Sequence, residues 1–274
     1  MKTIDFTELT KIEPVFGGDI NQAFKVRNLQ HQLYFLKEHR SHQPHFFRSE
    51  TEGLKALKKS AKVSVPEIVA STEHQLLLEW IEPGVFTTRS WSLAGQQLAE
   101  LHLINQANFG FSADNYCGLT PQINTNMNDG YTFFIECRLL HLLRMARNME
   151  LLEDKDCLGV EAICRKLPTI IPNQKPALLH GDLWSGNLMT NILNEPVFID
   201  PACYFGWPEA DLAMTTLFGR FPEAFYDAYF GVRPEAKGFN QRRDIYNLYH
   251  LLNHLILFGK SYQSQVRQII RQWA

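Results

Sequence analysis

The stretch LLHGDLWSGNL, at residues 178–188, constrains the fold of this chain more than any other segment. It begins as an apolar strand and continues into a loop with His180, Asp182 and Asn187, whose polar groups are costly to bury without partners. A second apolar run, PVFID, ends in Asp200, and the segments NLMT and VFID flank the turn-like NILNEP. This pattern predicts a small β-hairpin beside a polar loop.

The spacing of the polar residues in this stretch indicates phosphoryl transfer. Asp182 and Asn187 are separated as in the catalytic loop of protein kinases, where the Asp accepts a hydroxyl proton and the Asn holds a metal ion. Asp200 ends the hairpin, where the kinase plan places its other metal carboxylate. Such oxygen ligands suit Mg²⁺. The sequence therefore predicts Asp182 as the catalytic base and Asn187 and Asp200 as metal ligands, whereas HGD alone could be a polar turn capping a helix.

The composition favours a small-molecule partner. The chain has 274 residues, a net charge of −2 and a sequence pI of about 6.6, so it has no basic footprint for nucleic acid or acidic lipid. Its five scattered cysteines predict free thiols in a reducing compartment. The polar N-terminus predicts no secretory signal and hence a cytoplasmic location. The apolar run at 248–259 is too short to span a bilayer, so we expect no membrane partner. We also expect a monomer or weak dimer.

The distribution of strand and helix patterns predicts an α+β, two-lobed, protein-kinase-like fold. The runs at 23–28 and 32–38 predict a hairpin, and the helical pattern with Leu54 and Leu57 is followed by a buried strand at 75–84 that enters a Pro-Gly turn. Long helical patterns dominate after residue 85. We therefore expect a nucleotide-binding lobe at 1–82, a helical lobe at 83–274 and a hinge at about 79–83.

The first lobe should bind the nucleotide phosphates. Gly17, Gly18 and Asp19 lie between two strand candidates, where glycines let backbone N–H groups approach phosphate, although a plain hairpin turn gives the same pattern. Lys37 shares a strand face with Phe35 and needs an anionic partner. Glu50 is the expected partner.

The choice of Glu50 rests on helix spacing. Leu54 and Leu57 follow Glu50 at +4 and +7, which predicts an amphipathic helix that begins at Glu50. A glutamate at this position fits the lysine–glutamate pair of protein kinases. Glu52 is the alternative, and a solvent-facing Glu50 is also compatible with the pattern. Further along, the backbone of Glu79, Trp80 and Ile81 is expected to offer hydrogen bonds to adenine.

Several segments together resemble the fructosamine kinase (ketosamine-3-kinase) family, a branch of the aminoglycoside-phosphotransferase-like kinases. The resemblance covers nearly the whole chain. It is carried by GGDINQAF, FFRSETEGLKAL, LLEWI, FGFSADNYCGLTPQIN, HGDLWSGNL, IDPACYFGWPEADLAM and LYHLLNHLILFG. Trp184, directly after HGDL, is its most specific element, because the wider superfamily shares HGDLxxxN without that tryptophan.

The resemblance implies an ATP- and Mg²⁺-dependent kinase that phosphorylates a ketoamine, a fructosamine or ribulosamine, at O3 of the sugar in deglycation. It implies that Lys37 contacts the α- and β-phosphates and that Asp211 braces the catalytic loop. Trp184 would stack on the sugar or close over it, and the alternative is a core residue under the loop. Hydroxyl recognition is expected from Asn115, Gln122 and Asn124, whose polar loop also fits ordinary turn chemistry.

Two alternative functions remain open from the sequence. The acceptor could be an aminoglycoside, choline or another alcohol, or the chain could be a non-catalytic binding protein that keeps the fold. His102 is interpreted as a buried histidine that bonds the catalytic loop. His39, His42 and His45 are interpreted as part of a solvated loop rather than a metal site.

Overall fold

A computed structural model describes residues 5–16, 22–39 and 43–274. The described part of the chain contains an N-terminal sheet with one long helix and a C-terminal part made mainly of helices. This is the α+β, protein-kinase-like arrangement that the sequence predicts.

The N-terminal lobe is built on a five-stranded antiparallel sheet with the strand order β1-β2-β3-β5-β4. Its strands are β1 (Thr10–Val15), β2 (Gln22–Arg27), β3 (Leu33–Glu38), β4 (Ile68–Ser71) and β5 (Gln75–Glu79). A helix, α1 (Phe46–Ser60), lies between β3 and β4 in the chain. The predicted hairpin is confirmed as the antiparallel pair β2–β3.

Helix α1 connects the two lobes through its buried face. Leu54 packs with Leu76 and Leu78 of the sheet, whereas Leu57 packs in a cluster with Leu98 and Leu178 of the C-terminal lobe. The helix begins at Phe46 rather than at Glu50, which corrects the sequence prediction. Phe46 and Phe47 are buried and extend the apolar face toward the N-terminus. Glu50 therefore lies inside the helix.

The C-terminal lobe contains eight further helices among the described residues. They are α2 (Thr88–Leu101), α3 (Gly130–Phe134), α4 (Leu140–Asn148), α5 (Asp154–Ile170), α6 (Glu209–Met214), α7 (Glu223–Val232), α8 (Phe239–Phe258) and α9 (Gln263–Trp273). A π-helical turn, Ile135–Leu139, joins α3 to α4. Helix α8 is largely buried, as its apolar sequence predicts. No helix in the described residues has the length and apolar character needed to cross a membrane.

The C-terminal lobe also contains three short antiparallel strand pairs. They are β6 (Asn115–Cys117) with β7 (Thr120–Gln122), β8 (Ala177–Leu179) with β11 (Tyr204–Gly206), and β9 (Leu188–Thr190) with β10 (Pro196–Phe198). The β9–β10 pair is the hairpin predicted from NLMT and VFID. The chain leaves the sheet at Glu79 and enters α2 at Thr88, and the lobe boundary that we propose after residue 82 lies in this connection.

Candidate active site

The catalytic-loop candidate follows β8 and turns sharply at Gly181. Gly181 has φ +86°, and a Cβ on it would lie 2.1 Å from the carbonyl oxygen of Ala202. A side chain is therefore excluded by both conformation and space. The backbone N–H of Ala202 donates to the carbonyl of His180 at 2.9 Å, and that of Ile199 donates to Asn187 at 3.1 Å. These bonds fix the loop against the segment that carries Asp200.

Asp211, at the start of α6, braces this loop as the resemblance implies. Its two carboxylate oxygens accept the backbone N–H groups of His180, at 2.7 Å, and Gly181, at 2.8 Å. His102 Nε2 lies 3.2 Å from the same carboxylate, and its Nδ1 lies 2.8 Å from the hydroxyl of Tyr229. His102 is buried as predicted, but it reaches the loop through Asp211 rather than directly.

The charge states within this brace follow from burial and hydrogen bonding. Burial lowers the pKa of His102, so the imidazole is neutral at pH 7 and donates Nε2–H to the carboxylate. Burial alone would raise the pKa of Asp211, but the hydrogen bonds from His102 and from the backbone of Gly181 hold it below its ordinary value. An ionised Asp211 therefore anchors two backbone donors in a buried setting.

Asp182 and Asn187 contact each other within the loop. A short 3₁₀ turn, Ser185–Asn187, brings Asn187 Nδ2 within 3.0 Å of Asp182 Oδ2 and 2.8 Å of the Asp182 carbonyl. Burial, and then the negative charge of Asp200, raise the pKa of Asp182 to about 7, against the opposing effect of the Asn187 hydrogen bond. A carboxylate with a pKa near neutrality suits a general base.

Lys37 on β3 is enclosed by two carboxylates. Its Nζ lies 2.8 Å from Glu50 Oε1 on α1 and 2.5 Å from Asp200 Oδ1 in the other lobe. Although burial opposes its charge, these carboxylates raise the pKa of Lys37, which is therefore charged. The alternative Glu52 pairs instead with Lys55 at 2.9 Å on an exposed face of α1.

Asp200 is held in an uncommon backbone conformation between the lobes. Its φ of 54° lies in the left-handed region, which a residue other than glycine adopts only at a cost. The following Pro201 packs against α1, where a Cβ on Gly53 would lie 3.3 Å from the proline ring. The surrounding chain thus fixes Asp200 between α1 and the catalytic loop.

The side-chain oxygens of Asn187 and Asp200 have the chemistry that a divalent cation requires. Asn187 uses its Nδ2 on Asp182, and the described part of the chain offers no hydrogen bond to its Oδ1. The Asp200 side chain retains 41% exposure. A carboxylate and an amide oxygen at the cleft fit Mg²⁺, which takes its remaining ligands from water and phosphate.

These side chains line one cleft of about 570 Å³ between the lobes. The predicted site residues that line it are Lys37, Glu50, Glu79, Trp80, Ile81, Asn115, Asp182, Trp184, Asn187 and Asp200. Gly17, Gly18 and Asp19 lie outside the described residues, although Val15 and Phe16, just before them, line the cleft. Trp184 is half-buried and faces the cleft, so it is not a core residue under the loop.

Gln122 and Asn124, which the sequence predicts as substrate ligands, do not line the cleft. Gln122 Nε2 donates to Asn115 and to the carbonyl of Ala202, and its Oε1 accepts the hydroxyl of Tyr249 at 2.6 Å. Asn124 donates to Asn115 at 2.8 Å and accepts from buried Arg138 at 2.8 Å. Both are almost fully buried and hold the β6–β7 pair against the segment after Asp200.

The structure also places residues in or beside the site that the motifs do not reveal. His250 Nδ1 lies 4.0 Å from Asp182 Oδ1. One ligand atom each of Cys117, Asp182 and His250 lie within 4.8 Å of one another. Burial, and then the nearby His254, lower the pKa of His250 to about 3, so it is neutral. Phe218, His254, Phe258 and Tyr262 line the cleft near Trp184. His250, His254 and Phe258 follow one another at helical spacing in LYHLLNHLILFG, a segment that carries the family resemblance but shows no catalytic motif.

The fold and the geometry of this cleft define a phosphotransferase of the protein-kinase-like class. The sequence profile of the fructosamine kinase family matches residues 2–274, and the chain belongs to that family. The resemblance seen in the sequence is thereby confirmed.

Individual relatives agree with this membership. A Synechocystis protein described as a ketoamine kinase is 41% identical over 94% of this chain and 88% of its own length. A chloroplastic protein-ribulosamine 3-kinase of Arabidopsis thaliana is 40% identical over 96% of this chain and 82% of its own length. A Thermobifida fusca crystal structure described as a fructosamine-3-kinase is 32% identical, with a TM-score of 0.88, over 96% of this chain and 93% of that one.

Proposed function

We propose that the protein is an ATP-dependent ketoamine kinase that transfers the γ-phosphoryl group to O3 of a fructosamine or ribulosamine. The observation that carries this proposal is the meeting of Asp182 with the Lys37–Asp200 pair in one cleft, since Asp200 lies 2.5 Å from Lys37. Family membership supplies the acceptor class, because relatives over nearly the full chain are described as ketoamine and ribulosamine kinases.

In this proposal the N-terminal side of the cleft binds ATP. Lys37, oriented by Glu50, contacts the α- and β-phosphates, and the backbone at 79–81 faces the adenine. The sequence assigns phosphate binding also to Gly17, Gly18 and Asp19, which lie outside the described residues. Asn187 and Asp200 would hold Mg²⁺, which neutralises phosphate charge when bound.

Transfer of the γ-phosphoryl group requires little covalent chemistry from the protein. Asp182 accepts the proton of the O3 hydroxyl as that oxygen forms a bond to the γ-phosphorus and the bond to the bridging oxygen of ADP breaks. Lys37 stabilises the charge that develops on the phosphates. Trp184, two residues after the base, covers the sugar, and Asn115 is the remaining polar candidate from the β6–β7 pair.

The partner expectations are part of the same proposal. The acceptor is a small or lysine-linked ketoamine, and the net charge of −2 gives no support to nucleic acid as a partner. We propose a cytoplasmic monomer or weak dimer, consistent with five buried, free cysteines among the described residues.

The direct test measures ADP release from Mg-ATP with fructoselysine or ribuloselysine as acceptor. We expect acceptor-dependent turnover and a product phosphorylated at O3 by NMR. Asp182→Asn is the matched control, because it keeps the size of the side chain and removes the base. A rate that stays at the ATPase background with every ketoamine, or that rises only with an aminoglycoside or choline, would contradict the proposal.

A further inference from the structure

Three side chains with the chemistry of metal ligands meet at the catalytic base, and the proposed phosphoryl transfer uses only one of them. One ligand atom each of Cys117, Asp182 and His250 lie within 4.8 Å of one another. Cys117 ends β6, Asp182 belongs to the catalytic loop, and His250 lies within α8. The fold therefore brings together a thiol, a carboxylate and an imidazole from three separate parts of the chain.

The His250 nitrogen that faces this group has no hydrogen-bond partner. His250 is 3% exposed, and its Nδ1 bonds to no other residue in the part of the chain that the structure describes. Asp182 Oδ1 lies 4.0 Å from this nitrogen, which is beyond hydrogen-bond distance. A buried polar atom without a partner is costly, and it points to a ligand that completes the group.

Asn253, one turn of α8 after His250, supports the thiol of the same group. Its Nδ2 donates to Cys117 Sγ at 3.3 Å and to the Cys117 carbonyl at 3.1 Å. Its Oδ1 is buried and also lacks a hydrogen-bond partner among the described residues. A donor to sulfur orients a metal-bound thiolate, so Asn253 has the place of a positioning residue.

The group is reached from the cleft through Asp182. Asp182 and Asn253 line the cleft, whereas Cys117 and His250 do not line it and are almost fully buried. A ligand that contacts all three donors must therefore be as small as an ion, and it must enter past the catalytic base.

The donor set favours zinc over magnesium. Thiolate sulfur, imidazole nitrogen and carboxylate oxygen are the usual ligands of Zn²⁺, at about 2.0–2.3 Å, whereas Mg²⁺ prefers oxygen alone. Donor atoms in such a site are about 3–4 Å apart, so the 4.0 Å between His250 Nδ1 and Asp182 Oδ1 needs only a small movement. Burial, and then the charge of Asp182, raise the pKa of Cys117, so zinc would displace the thiol proton to solvent.

We propose that Cys117, Asp182 and His250 form an inhibitory Zn²⁺ site, with a fourth position left for water from the cleft. Bound zinc takes the Asp182 carboxylate, which then cannot accept the proton of the acceptor hydroxyl. The inhibition rests on the proposed function, whereas the binding of zinc does not. Asn187 and Asp200, the proposed magnesium ligands, are not part of this set, so excess Mg²⁺ should not relieve the inhibition.

Metal binding by the full chain without nucleotide tests the site directly. Titration of the wild type against a chromophoric zinc chelator measures the affinity, and Co²⁺ in place of zinc should give the charge-transfer absorption of a cobalt–thiolate bond. Cys117→Ala and His250→Gln should each weaken zinc binding by at least about 10- to 100-fold, and Cys117→Ala should abolish the cobalt band. Cys164→Ala is the matched control, because Cys164 is also a buried free cysteine, on α5 away from the cleft, and should leave both readouts unchanged.

Initial rates with a ketoamine acceptor at saturating Mg-ATP test the inhibition. Each protein is compared with its own rate without zinc, so any loss caused by the substitution itself cancels. The zinc concentration that halves the wild-type rate should rise by at least about tenfold in Cys117→Ala and His250→Gln but not in Cys164→Ala, and a chelator should restore the wild-type rate.

Two outcomes in the wild type and its cysteine variant would overturn the inference. The first is a cobalt complex without the thiolate band, and the second is equal zinc affinity in the wild type and Cys117→Ala. Zinc that binds the thiol without slowing the wild type would overturn the inhibitory role. Absence of turnover with every ketoamine in the zinc-free wild type would instead overturn the proposed function, while the binding measurements still decide the zinc site.

Discussion

Lys37 Nζ in the N-terminal sheet lies 2.5 Å from Asp200 Oδ1 in the C-terminal lobe, so one ion pair joins the two sides of the cleft. The same ammonium holds Glu50 at 2.8 Å. In the proposed reaction the Lys37 ammonium must also interact with phosphate, and the Asp200 carboxylate must also bind the metal. The pair therefore couples the arrangement of the lobes to nucleotide binding.

Replacement of Lys37 tests this coupling. Lys37→Met removes the ammonium that the phosphates would meet, and we expect kcat/KM for ATP to fall by about 10²–10³-fold. Glu50→Gln should have a smaller effect, because it orients Lys37 without touching the phosphates. Initial rates over a range of ATP concentrations measure both. A Glu50→Gln defect as large as that of Lys37→Met would contradict the assigned roles.

Asp182→Asn tests the assignment of the base. The variant keeps the contact with Asn187 but cannot accept a proton, so kcat should fall by about 10²–10⁴-fold. Binding of ATP, measured by calorimetry, should stay within a few-fold of the wild type. If the variant retains a near-native rate, another group takes the proton.

The same variant gives a pH-dependent effect on stability. The folded protein raises the pKa of Asp182 from 3.8 to about 7, so between these values it holds a proton that the unfolded chain has released. The contribution of this group to stability therefore falls as pH rises from about 4 to 7. Without nucleotide or metal, Asp182→Asn should be more stable than the wild type by about 2–4 kcal/mol at pH 8, with little difference at pH 4.

Denaturant unfolding of both proteins at the two pH values measures this effect. The exposed Asp227→Asn in α7 is a control for loss of a carboxylate in general. A difference between wild type and Asp182→Asn that does not change with pH would show that the carboxyl is not desolvated as the structure indicates.

The sequence predicts the catalytic machinery better than the acceptor site. The catalytic loop, the Lys37–Glu50 pair and Asp200 have fixed spacings or helical register, so their meeting can be inferred before a fold is known. Their roles stay predictions, whereas the family and fold are confirmed. The structure places Gln122 and Asn124 in a buried hydrogen-bond network rather than in the cleft, and polarity alone does not distinguish such a network from a hydroxyl-binding loop.

The rings that line the cleft near Trp184 could not be predicted from sequence for a related reason. Phe218, Phe258 and Tyr262 are large aromatic residues of the kind that commonly lie in a core. Only the tertiary arrangement places their rings at the cleft. The start of α1 shows the same limit, since the burial of Phe46 and Phe47 extends the helix before Glu50.

Asp211→Asn tests the brace under the catalytic loop. The change removes a buried negative charge and offers one carbonyl oxygen to two backbone donors, so one of the N–H groups of His180 and Gly181 loses its partner. We expect a loss of about 2–4 kcal/mol in the free energy of unfolding together with lower kcat. Thermal unfolding and initial rates measure the two effects, and Asp227→Asn again serves as the control. Full stability in Asp211→Asn would mean that the loop does not depend on this brace.

Asp200→Asn tests the proposed metal ligand without disturbing the backbone. Asn tolerates the left-handed conformation at φ 54°, so the fold should persist while the carboxylate charge is lost. We expect kcat to fall by about 10²-fold or more and the Mg²⁺ concentration at half-maximal rate to rise, because a neutral amide oxygen holds a divalent cation less strongly than a carboxylate. A titration of initial rate against Mg²⁺ at saturating ATP measures both quantities. Glu52→Gln on the exposed face of α1 is the control for charge loss near the N-terminal lobe. An unchanged Mg²⁺ dependence in Asp200→Asn would assign the metal to other ligands and leave Asp200 as a partner of Lys37 alone.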